Sequence, residues 1–88
     1  MNSKQLLIDV REPFEYKSGH VEGAINITPA DLISNPVGLN DVNKDTNIIV
    51  YCRTGSRSNA AIQILKGMGF TNLINGINAG YVAKNYLR

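Results

Sequence analysis

The residues best placed for chemistry are Cys52, the single cysteine of an 88-residue chain, and the six that follow it: Arg53, Thr54, Gly55, Ser56, Arg57 and Ser58. A thiol at the end of an apolar run, followed by a short glycine-containing loop that opens a helix, faces peptide N–H groups and a helix start. Both favour thiolate over thiol. If the loop curls around the sulfur, the N–H groups of roughly five residues converge on one point, a nest for an anion or a charged sulfur. Gly55 allows the tight turn because it has no Cβ. Ser56 or Ser58 can cap the helix, and Arg53 and Arg57 bring positive charge to the mouth. The competing reading is a buried cysteine that merely fills space, the commoner fate of a lone thiol.

The loop combines a nucleophile with fixed donors and offers no second cysteine to resolve an oxidised intermediate. A sulfur atom held as a persulfide anion fits those facts, and so does a tightly bound phosphate oxyanion. One cysteine and one unpaired histidine, His20, cannot build a metal site. His20 is not read as a general base, because it lies in a connection before a strand and persulfide transfer needs little proton abstraction once the thiolate exists.

Short apolar segments must position this loop. Leu6 to Val10, Ala24 to Ile27 and Asn47 to Cys52 read as strands, with Asn72 to Ile74 a weaker fourth. They are continuous rather than alternating, the pattern of strands covered on both faces. Pro13 and Gly19 bracket a short helix with Glu15 in its first turn. Thr28 and Pro29 start another, which Asn35-Pro36 ends. Val37 to Thr46 reads as a surface loop with one helical turn. The long helix follows Cys52, with Ala60, Ala61, Ile64, Leu65 and Met68 on one face and Gly69 as its stop. A last helix begins at Asn78 or Ala79 and presents Val82, Ala83, Tyr86 and Leu87. Alternating strands and helices predict an α/β fold with a parallel sheet of about four strands and helices on both faces. Ligands of such sheets bind at the carboxyl ends of strands, where Asp9, Arg11 and Cys52 all fall.

Length and composition predict one domain over residues 1–88. Nine Lys and Arg against seven Asp and Glu give a net charge of +2, too small to argue for a nucleic-acid partner. Aromatic residues make up 7% with no Trp, so a base-stacking platform is not expected either. The apolar run near the start is far too short to span a membrane. A lone cysteine cannot form an intramolecular disulfide, which points to a reducing compartment, and no signal peptide is visible, so the expected location is cytoplasmic.

Three segments together resemble a known family. Leu7-Ile8-Asp9-Val10-Arg11 with Glu15-Tyr16, then Gly19-His20-Val21-Glu22-Gly23-Ala24-Ile25-Asn26-Ile27, then Ile49-Val50-Tyr51-Cys52 through Ser58 closely resemble the single-domain rhodaneses, the thiosulfate sulfurtransferases. The resemblance implies a rhodanese-like fold in which Cys52 attacks the outer sulfur of a donor such as thiosulfate, releases sulfite and carries a persulfide. It implies cyanide or an external thiol as acceptor and no metal or organic cofactor; a persulfide, such as that of a cysteine desulfurase, as donor and a thioredoxin-like protein as acceptor stay open beside these. Arg53, Thr54, Gly55, Ser56, Arg57 and Ser58 would then bind substrate. Asp9, Arg11 and Glu15 would support the loop: Arg57 either binds the donor anion or pairs with Glu15 or Asp9, Arg53 stays exposed, and Asp9 is mainly structural. Thr54 and Ser56 either donate to the persulfide or shape the turn.

Two other readings stay open beside it. One is a non-catalytic module of the same fold that binds a protein. The other is a phosphatase or arsenate reductase, but those relatives resemble Cys, five residues, then Arg, and here Arg57 comes one position early, making a cradle sized for one sulfur atom. The chain also departs from the family's pattern. It resembles the shortest members, without the strand and helix that usually precede the Asp-Val-Arg segment. Asn75-Gly76 and Gly80-Tyr81 stand where the family carries paired glycines and then a tryptophan, which affects substrate preference more than activity.

Overall fold

The computed structural model describes residues 5–34 and 39–86. Strands and helices alternate along them as β1 (Gln5–Asp9), α1 (Pro13–Lys17), β2 (Ile25–Asn26), α2 (Pro29–Ile33), β3 (Asn47–Cys52), α3 (Ser56–Gly67), β4 (Asn72–Asn78) and α4 (Ala79–Tyr86). The strands form one sheet in the order β2-β1-β3-β4, and every pairing is parallel.

Because side chains alternate across a strand, the unbroken apolar runs of β1 and β3 feed two cores. Ile8, Val10, Ile48, Val50 and Cys52 face one side, where Leu32 of α2 and Ala61, Ile62 and Leu65 of α3 cover them. Leu7, Ile49 and Tyr51 face the other, under Val82 of α4 and the connecting residues Val21 and Ala24, with Tyr16 of α1 packed alongside. The expected α/β sheet with helices on both faces is what forms. Among the described residues no helix is long and apolar enough to cross a membrane.

Helix starts follow local chemistry. Thr28 Oγ1 accepts from Asp31 N at 3.1 Å, with Pro29 in the first position of α2. In α1, Glu12 N donates to the Glu15 carboxylate at 2.9 Å, so Glu15 fixes the start of its own helix.

Three expectations change. The buried face of α3 is Ser58, Ala61, Ile62 and Leu65, whereas Ala60 is exposed and Ile64 and Met68 are half-buried. Those four lie at i, i+3, i+4 and i+7, so the helix is rotated by about one position from the predicted stripe, with Ser58 turned toward the sulfur. The fourth strand runs past Ile74 to Asn78, because ladder pairing with β3 outweighs the polar side chains at its end. Val82 is buried in α4 as expected and Ala83 is exposed, while Leu87 lies outside the described residues, as does the Asn35-Pro36 helix stop.

Candidate active site

Cys52 is the last residue of β3, and its side chain is 2% exposed. The chain leaves it through exposed Arg53 and Thr54 and reverses at Gly55, whose φ of +96° is a left-handed conformation that glycine adopts without strain. The turn brings Gly55 N to 3.2 Å and Ser58 N to 3.4 Å from Sγ, with Ser58 Oγ at 3.5 Å. Two peptide N–H groups therefore bond the sulfur directly and that of Thr54 also favours its charged form, fewer than the five that a full curl around it would supply. The helix N-cap is Gly55 rather than Ser56 or Ser58, because α3 begins immediately after the reversal and leaves both serines inside its first turn.

Opposing effects set the thiol's acidity. Burial pushes it up, while the Ser58 hydroxyl and the N–H groups of Ser58, Thr54 and Gly55 stabilise the thiolate and prevail, leaving the pKa at about 7 instead of 9.0. A thiol so placed is substantially ionised at neutral pH, which argues against the role of inert filler.

Arg57 pairs with Glu15 of α1, not with Asp9. Its Nη1 lies 2.7 Å from Oε1 and its Nη2 3.2 Å from Oε2, a two-pronged bond that clamps the start of α3 to α1. The Arg57 fork, helped by the Glu12 backbone, holds the Glu15 carboxyl at about 2. Arg53 touches the same carboxylate only at 3.9 Å and is 71% exposed, so its charge remains available at the surface. Thr54 Oγ1 and Ser56 Oγ face each other at 3.4 Å.

Asp9 is fully buried and satisfied locally: it accepts from Arg11 N at 2.9 Å, Arg11 Nε at 2.9 Å and Arg11 Nη2 at 2.7 Å. Arg11 Nη2 also donates to Gly19 O at 2.7 Å and its guanidinium lies over the Tyr51 ring, so this pair ties the end of β1 to the connection before β2. His20 stacks on Tyr16 at 3.6 Å, and its Nδ1 donates to Tyr16 O at 2.8 Å. Among the described residues no three His, Cys, Asp or Glu side chains gather to hold a metal ion.

One residue at the site was visible in the sequence only as a departure. Asn75 pairs with Val50 in the ladder and reaches the loop: its Nδ2 donates to Gly55 O at 3.0 Å, and its Oδ1 accepts from Ser58 Oγ at 2.6 Å and from Ile77 N at 2.9 Å. The ladder slips by one residue here, so that Tyr51 pairs with Ile77 and Gly76 is the extra residue of a bulge. Ile77 takes a φ of +71°, unusual for a β-branched residue, and the bond from its N–H to Asn75 helps hold it there. A side-chain amide beside a glycine was the available signal, but the bulge that aims it depends on pairing between distant segments.

Comparison with known proteins places this geometry. Residues 1–83 match the family described as rhodanese-like domain. The chain is 38% identical over 80 residues to the probable adenylyltransferase/sulfurtransferase MoeZ of Mycobacterium tuberculosis, a match covering 91% of this chain and 20% of that protein. It is 40% identical over 68 residues to the thiosulfate sulfurtransferase PspE of Escherichia coli, covering 77% of this chain and 64% of that one. The chain thus spans about a fifth of the first relative and just under two thirds of the second. Among solved structures, a rhodanese with anions from E. coli superposes with a TM-score of 0.79 at 34% identity, covering 90% of this chain and 92% of that one.

Proposed function

The chain belongs to the rhodanese-like domain family, and from that premise we propose that it is a sulfurtransferase in which Cys52 carries sulfane sulfur as a persulfide. The observation that carries the reading is the buried sulfur facing two peptide N–H groups at 3.2 and 3.4 Å, with its thiol pulled down to about 7. Fixed donors of this kind stabilise an anionic sulfur without having to reorganise during the reaction.

In the first step the Cys52 thiolate attacks the outer sulfur of thiosulfate. A new S–S bond forms as the old one breaks, and sulfite leaves with the electron pair. In the second, a thiolate or cyanide attacks the outer sulfur of the persulfide and regenerates the Cys52 thiolate. Each step conserves charge and needs no oxidant or metal. Arg53, exposed beside the loop, draws the divalent donor toward the mouth. Arg57, committed to Glu15, acts by holding the loop, and its commitment also weighs against phosphatase chemistry, which needs a free fork on the oxyanion.

Mass spectrometry of the intact chain after thiosulfate treatment tests this. A gain of one sulfur, about 32 Da, that disappears in Cys52→Ser is expected. An unchanged mass across thiosulfate and low-molecular-weight persulfide donors would leave the protein-binding module as the better reading.

A further inference from the structure

Ser58 is fully buried, yet its single hydroxyl proton has three acceptors nearby: Asn75 Oδ1 at 2.6 Å, Gly55 O at 3.1 Å and Cys52 Sγ at 3.5 Å. A hydroxyl donates only one such bond, so these are alternatives. The Asn75 amide has one sensible orientation, because Ile77 N–H requires an oxygen and the Gly55 carbonyl requires a donor. That carbonyl already accepts from Asn75 Nδ2 at 3.0 Å and from Asn59 N at 2.9 Å, which fills both of its lone pairs. Two destinations remain for the proton, the short contact to Asn75 and the longer one to sulfur.

We propose that Asn75 is a positioning residue for Cys52 that acts through Ser58: its Oδ1 holds the Ser58 hydroxyl proton while the sulfur is neutral and releases it to the sulfur when the sulfur is charged. The hydroxyl is never without an acceptor, so the buried group avoids the penalty of an unmade bond in either state. After release Oδ1 still accepts from Ile77 N–H, and Nδ2 still anchors the Gly55 peptide whose N–H points at Sγ. Charged sulfur then has the hydroxyl as one more donor beside the peptide N–H groups. The thiolate part of this cycle stands by itself; only its extension to the persulfide rests on the sulfurtransferase reading.

The charged groups gathered around the loop are Arg53 within it, Arg57 at the start of α3, Glu15 on α1 and the Asp9–Arg11 pair at the end of β1; Lys66 and Lys17 lie in the last turns of α3 and α1, and β4 carries no ionisable side chain. None of them is altered by the variants that test the proposal.

The measurement is the pH dependence of Cys52 alkylation by iodoacetamide in the parent chain, Asn75→Gly, Ser58→Ala and the double variant, which requires no sulfur donor and so cannot be confused with a failure of sulfur transfer. Ser58→Ala is expected to raise the midpoint by about one unit, through loss of a donor to the thiolate. Asn75→Gly is expected to lower it by roughly half a unit, because the short competitor at 2.6 Å is lost and the Gly55 carbonyl, freed of Nδ2, takes up the competition only at the longer 3.1 Å. The double variant should titrate like Ser58→Ala alone. A midpoint that rises or stays put in Asn75→Gly would mean a plain tether and would overturn the proposal, as would a shift of the same size in the Ser58→Ala background. Asn75→Ala, read in the same way, replaces Asn75→Gly if thermal melting shows the glycine variant unfolded.

Discussion

Replacing Gly76 by alanine probes how closely β4 and α4 must approach beside the active loop. A Cβ built at Gly76 would lie 2.5 Å from Val82 Cγ2 and 2.9 Å from Ile49 Cγ2, and 3.5 Å from Tyr51 Cβ. Carbon atoms rest at about 3.5–4.0 Å, so two contacts are too short by roughly 0.6–1.5 Å. Val82, Ile49 and Tyr51 are all fully buried, so relief requires α4 to move off the sheet and the Ile49 side chain of β3 to shift as well. Overpacking of this kind costs about 1–3 kcal/mol. In a domain of this size each kcal/mol lowers the melting temperature by about 4–8 °C, so a drop of roughly 4–24 °C is expected. Gly67→Ala is the internal control, since an added Cβ there meets nothing within 4 Å and the position is helical. It should gain about 0.5–1 kcal/mol. Thermal melts followed by circular dichroism read both changes. A Gly76→Ala protein melting within about 2 °C of the parent would refute the claim that close packing, rather than backbone freedom, demands glycine at this position.

Three further outcomes concern the loop. The Cys52 thiol, held at about 7, should show an alkylation midpoint near that value, and one near 9.0 would contradict the stabilising role of the loop N–H groups. Because the folded thiol is more acidic than the unfolded one, its contribution to stability is fully present above pH 9.0 and is lost as pH falls through about 7; denaturant titrations across that window should show the change. Arg53→Ala should slow sulfur loading from thiosulfate by roughly threefold at low ionic strength, with the gap closing in high salt as the charge is screened. A deficit independent of salt would mean that Arg53 acts by contact instead of by long-range attraction.

Much of this was legible in the sequence because it depends on local chemistry. Continuous apolar runs announced the two-sided sheet, Thr28-Pro29 announced a capped helix, and Cys52 through Ser58 announced a loop that curls around the sulfur into a helix. The sequence leaves Arg57 the donor anion or either of two carboxylates, and choosing Glu15 requires knowing that Asp9 is consumed by Arg11, two residues away. The face of α3 lies about one position from the apolar stripe, since apolar spacing by itself cannot register a buried polar residue such as Ser58 that faces the sulfur. Asn75 stands out in the sequence only as a departure from a glycine. Its three bonds to the loop and the bulge follow from a slip in strand pairing between segments far apart in the chain, and no local pattern encodes that.

The same slip bears on how the molecule stays apart from its neighbours. Among the described residues β4 is an edge strand, with β3 on one side and no strand on the other. Seven residues of open backbone would ordinarily offer a template for strand addition by another chain. Gly76 and the left-handed Ile77 break the regular spacing of that free edge midway. Asn78, at its end, turns its Oδ1 to Tyr81 N at 2.8 Å and commits the chain to α4. The irregularity that brings an amide to the sulfur loop therefore also blunts the sheet against edge-to-edge aggregation.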